Sequence, residues 1–109
     1  MKINNYSSLQ FNNPPLGISQ DTYNNFEKQC QGVAAQLTAG YIQAASDLTM
    51  SIKYQVSALN DSGAITQDQN GKLQQMLNSV LTDISKDDRG SFSGDIRSFT
   101  NALYDLVNH

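Results

Sequence analysis

From Tyr23 to Leu59 the apolar side chains recur at steps of three or four: Tyr23, Phe26, Cys30, Val33, Leu37, Tyr41, Ala45, Leu48, Ile52, Val56 and Leu59. At about 100° per residue these positions fall within an arc of roughly 140°, the width of one buried helix face. A half-buried strand requires alternation of apolar and polar residues, and no segment alternates over strand length. The pattern therefore commits the chain to an all-α fold.

The phase of this stripe is kept across Gly32 and Gly40. A continuous phase favours one long helix over about 19–60, since a chain break would not need to preserve it. The rival reading is a break at Thr38-Ala39-Gly40, with Gly40 in the left-handed position that ends many helices. The first reading gives a long helix plus a C-terminal hairpin. The second gives a four-helix bundle.

The remaining elements carry local signals. Ser19 is a good N-cap, Asp21 sits near the positive end of the helix dipole, and Ile18 and Tyr23 have the spacing of a hydrophobic staple. Asn60-Asp61-Ser62-Gly63 reads as a stop and turn. Thr66 and Gln69 form a capping box for a second unit over about 67–87, whose stripe is Leu73, Leu77, Val80 and Ile84. Asp87-Asp88-Arg89-Gly90 ends it. A last helix over about 92–108 opens at Ser91 or Ser93, with Phe92, Ile96, Phe99, Leu103 and Leu106 inward. Residues 1–18, with Pro14-Pro15 and no periodic stripe, read as a flexible polar tail that is dispensable for folding. Residues 19–109 read as a single helical domain.

Composition narrows the function. The chain has 109 residues, a net charge of −3 and only 16 % charged residues, against about 25 % in an average domain. Asn, Gln, Ser and Thr fill 40 positions instead. Seven basic residues, no two adjacent, make no basic face for nucleic acid. No stretch approaches the roughly 18–20 apolar residues that span a bilayer, and no secretory signal follows Met1-Lys2. One Cys excludes an intrachain disulfide framework and fits a reducing compartment. The expected location is cytoplasmic.

Catalytic chemistry finds no constellation. The only His is His109, the final residue, where a side chain is solvated rather than oriented for a triad. Cys30 lies in the apolar stripe and reads as a small core hydrophobe rather than a thiolate. Glu27 is the only glutamate. Loops placed on Gly63 or Gly90 lack the oxygen ligands of a calcium-binding loop, and the second brings in Arg89. Gly71-Lys72 lacks the rest of a phosphate loop. No catalytic, cofactor or metal site is expected, and the protein reads as a non-enzyme.

What remains is surface for partners. A continuous helix of about 40 residues is roughly 60 Å long, twice the length of the hairpin helices. Its N-terminal stripe would then lack cover, so Tyr23, Phe26, Val33 and Leu37 are expected to bind a partner, either a second copy in a homodimer or another helical protein. Met50 and Tyr54 lie almost opposite the main stripe and are the residue types enriched at interfaces. The expected function is a helical interaction module: an adaptor, chaperone or structural subunit. In the bundle alternative the same stripe is buried within one molecule.

Between Ile3 and Gln20 there is no charged residue, and the segment is rich in Ser and Asn. In this it resembles the leaders of bacterial type III secretion substrates, and its Met-Lys-Ile start is similar to that of flagellar proteins. The resemblance covers under a fifth of the chain. It implies an alternative function, a small bacterial secretion substrate or effector exported without a cleaved signal peptide. The size and helicity are also those of the small secreted WXG-type partners, but that family requires a Trp-x-Gly turn and this chain has no Trp.

Overall fold

A computed structural model describes residues 15–108. The fold is all-helical: α1 (Gln20–Thr38), α2 (Ile42–Asp61), α3 (Gln67–Ser85) and α4 (Arg89–Tyr104) follow one another as an up-and-down bundle. Consecutive helices share extensive seams, whereas α1 and α4, the two outer members, meet over much less of their surface.

The first helix is not continuous over 19–60; the chain turns at Gly40 and the bundle alternative is the one realised. Gly40 has φ +87°. Its N–H donates to the Leu37 carbonyl at 3.0 Å and the Tyr41 N–H to the Gln36 carbonyl at 2.9 Å. These two bonds are the Schellman termination, which satisfies carbonyls that a helix end leaves open. The unbroken phase misled because α1 and α2 each need an inward stripe and only three residues separate them. Here a short turn returns the second helix in register with the first.

The same pair of bonds ends the next two helices. At Gly63 the donors go to Asn60 and Leu59. After α3, Asp87 takes the left-handed position with φ 52°, and the Asp87 and Asp88 N–H groups donate to the Ile84 and Asp83 carbonyls. Asp88 then caps α4, its Oδ1 accepting from the Ser91 N–H at 3.1 Å. The last helix therefore starts at Arg89, earlier than the serines suggest. The expected caps at Ser19 and Thr66 are formed. Ser19 Oγ accepts from the Thr22 N–H, and Thr66 and Gln69 exchange side chain to backbone bonds at 3.0 and 2.8 Å.

The core runs the length of the bundle. Val33 and Leu37 of α1 meet Ile52 and Val56 of α2, Leu73, Leu77, Val80 and Ile84 of α3, and Phe92, Phe99 and Leu103 of α4 in one buried cluster. One end is closed by the residues before α1. The Leu16 and Gly17 N–H groups donate to the carbonyls of Gly63 and Ala64, and Ile18 pairs with the stretch after α4 through bonds to Leu106 and Asn108. Ile18, Ile65 and Val107 are all buried there. Residues 16–18 thus belong to the folded unit, not to the expected tail; of that tail, residues 1–14 lie outside the described residues, as does His109.

Candidate interaction surfaces

The stripe of α1 is covered by the chain itself. Phe26, Val33 and Leu37 are buried, because folding back at Gly40 brings α2 onto α1 and carries the α3–α4 hairpin round to the other side. Phe26 packs edge-to-face on Phe99 of α4, with ring centroids 6.5 Å apart. Tyr23 is half-buried, stacks edge-to-face on Tyr104 at 5.2 Å and donates its hydroxyl to Glu27 at 3.4 Å. Phe26, Val33 and Leu37 therefore offer no surface to a partner, and the argument from unequal helix lengths falls with the continuous helix.

Cys30 is buried in the same stripe, and burial, with the Glu27 carboxylate nearby, pushes its thiol up to about 12. A thiol held protonated at neutral pH is a poor nucleophile. No group of three or more His, Cys, Asp or Glu side chains among the described residues is placed to hold a metal ion. Among the described residues, no helix is long and apolar enough to cross a membrane.

Where α1 and α4 separate, a groove of about 410 Å³ opens, with Cys30, Ala34 and Ile96 on its floor and Glu27, Gln31 and Arg97 on its rim. A smaller recess of about 240 Å³ continues it past Ala34 and Ser93 toward Thr38 and Arg89. Two short side chains, Ala34 of α1 and Ser93 of α4, line both the groove and the recess. Nothing in the sequence pairs those two positions, 59 apart; only the return of α4 alongside α1 does.

The outer face of α2 is a different kind of surface. Tyr54 is 72 % exposed and Met50, one turn before it, 38 %. Both lie on the side of α2 turned away from its buried row of Ala45, Thr49, Ile52 and Val56. The exposed charges that share this side are Asp47, three residues before Met50, and Asp61, seven after Tyr54. Lys53 is adjacent to Tyr54 in sequence, but its ammonium is drawn across to Asn78 of α3. Asp47 accepts from Gln43 at 2.9 Å, which holds that carboxylate on the surface. The face is thus an apolar spot between acidic groups. Of the six residues expected to bind a partner, Met50 and Tyr54 are the two whose apolar side chains stand exposed. Compared with known proteins, the chain matches no family model, no curated protein and no solved structure.

Proposed function

We propose that this chain is a non-enzymatic helical interaction module, an adaptor, chaperone or structural subunit, which engages a protein partner through the outer face of α2. The observation that carries this reading is the exposure of Tyr54 beside Met50 on a helix whose opposite face is fully buried. Full burial of a large apolar side chain is worth about 1.5–3 kcal/mol, and a partner recovers most of this at Tyr54 and a smaller share at Met50. The flanking charges specify the partner's chemistry: an amphipathic helix with apolar anchors and a basic rim. A second copy fits this face poorly, since self-pairing sets Asp47 and Asp61 against the same acidic groups. The expected state alone is therefore a monomer, with a heteropartner preferred over a homodimer.

The test is fluorescence anisotropy with a labelled Leu/Lys amphipathic helical peptide, alongside light scattering on the protein alone. Binding that weakens with added salt and is lost in Tyr54→Asp is expected. Binding unchanged in Tyr54→Asp, or none at all, removes the α2 face from the reading. A mass of two chains restores the homodimer.

A second reading rests on the charge-free run from Ile3 to Gln20, which stops where α1 begins. Under it the chain is a bacterial secretion substrate, made in the cytoplasm and exported with that run as its address. Fusing residues 1–20 to a reporter in a type III secreting host tests it: export supports the reading and retention removes it.

A further inference from the structure

Asp83 stands in the last turns of α3 at a position that belongs to the core. It is only 8 % exposed, sits next to the fully buried Ile84, and its Oδ2 has no hydrogen-bond partner. An unpaired buried carboxylate costs far more than a buried apolar group, so its surroundings must supply either a cation or a proton. Among the described residues they supply no close cation. The group within hydrogen-bonding reach is another carboxyl, Asp95, presented by α4 across the seam.

The charges on every side are accounted for. From the α3–α4 turn, Lys86 acts on Asp83 favourably and Asp88 unfavourably. Arg89 is engaged by Asp87 at 3.1 Å, and Arg97 faces the groove toward α1. The other helix packed on α3 is α2, whose charged groups are Asp47, Lys53 and Asp61. They lie behind Asp83. Gln74, which reaches Lys53 and Ser57 of α2, is turned about 180° round α3 from Asp83. Two carboxyls thus meet in a helix–helix seam with no basic side chain of the described residues between them. Such a pair cannot be fully ionised without repulsion, and one proton shared between the two removes it.

We propose that the α3–α4 seam is a proton-operated latch, closed when Asp83 carries a proton and donates it to Asp95, and loosened when both carboxylates are ionised. Burial, reinforced by Asp95, pushes the Asp83 carboxyl up to about 6 from its ordinary value of 3.8. The sign follows from the raised value. The folded state holds the proton more tightly than the unfolded chain, so the latch adds stability that is complete below the ordinary carboxyl range. That stability is lost as pH rises through about 6. The latch is therefore shut in mildly acidic surroundings and slack at neutral pH. Its slack end includes the Asp87–Asp88 turn, where α4 begins.

Thermal unfolding of the full chain at about pH 4.5 and about pH 7.5, for the wild type, Asp83→Asn and Asp95→Asn, tests the latch. An asparagine at 83 donates to Asp95 at every pH. Asp83→Asn should therefore match the wild type in acid and melt several degrees higher at neutral pH. Asp95→Asn should shrink the same pH-dependent gap. A difference between Asp83→Asn and wild type that stays constant or shrinks as pH rises overturns the latch, since a merely structural residue shifts both melts alike. Carbon-detected titration of the Asp83 carboxyl in the wild type decides independently of whether the variants fold. A midpoint near 6 supports the proposal, and one in the ordinary carboxylate range overturns it.

Discussion

Gly17 lies directly against Asn108: a Cβ at Gly17 would stand 2.7 Å from Asn108 Oδ1 and 3.0 Å from the Leu106 carbonyl oxygen. The Asn108 side-chain amide passes this spot to donate to the Leu16 carbonyl at 2.6 Å. Any side chain is strained there, because position 17 also has φ +76°. Gly17→Ala is accordingly expected to cost about 1–3 kcal/mol, measured by urea unfolding.

The same contact separates two truncations. Deleting through residue 18 removes Ile18 from the buried end of the bundle along with the bonds to Gly63, Ala64 and Leu106. Relative to a deletion that ends at residue 14, it should lose at least about 1.5–3 kcal/mol, the worth of one large apolar side chain. Equal melting temperatures for the two would show that Ile18 contributes nothing.

Leu77 and Phe99 are completely buried in the core. Truncating either to Ala is expected to cost about 2–5 kcal/mol, a large share of the roughly 5–15 kcal/mol available to a small domain. Leu37→Asp places a carboxylate among the same contacts and should abolish the folded helical signal, leaving no change of assembly to observe. A variant with the wild-type melt would put Leu37 back on the surface.

Asp87 is the one non-glycine residue described with a left-handed backbone. Its carboxylate makes an exposed ion pair with Arg89, which contributes little. Asp87→Gly removes the steric cost of the left-handed conformation and is expected to be neutral or to stabilise by up to about 1 kcal/mol, read from the denaturant midpoint. A clear destabilisation would mean that the Asp87–Arg89 pair outweighs the backbone.

Cys30 is expected to resist alkylation. Burial keeps its thiol protonated, with a value of about 12, so iodoacetamide at about pH 8 should label it only through unfolding. Labelling that saturates within minutes on the native protein would place the thiol in open solvent.

How far the sequence could be read depended on how local each signal was. The caps at Ser19 and Thr66, the turn at Gly63 and the inward rows of α1, α3 and α4 were legible because each is decided within one or two turns of chain; in the row expected for α2, Tyr41 and Leu48 prove exposed and the buried Thr49 was missed. The break at Gly40 was visible as a turn signal but competed with an unbroken phase, and only tertiary packing distinguishes a continued helix from a folded one. The role of residues 16–18 was hidden because their partners lie about 45 and about 90 positions away, with no periodicity to announce them. Met50 and Tyr54 were legible as off-stripe residues. Asp83 was not: a polar residue beside Ile84 reads as a helix edge until α4 is laid over it.

The three Schellman turns also fix how the bundle assembles. Each joins helices that are neighbours in sequence, so the α1–α2, α2–α3 and α3–α4 seams form at small loop-closure cost. The pairing of Ile18 with Val107 spans almost the whole described chain. Its closure costs the most chain entropy, so in folding it is expected to close last, as a clasp on a meander already standing. By the same reasoning it is expected to open first in native fluctuation, so the amides of Ile18 and Asn108 should exchange their hydrogens ahead of those inside α3.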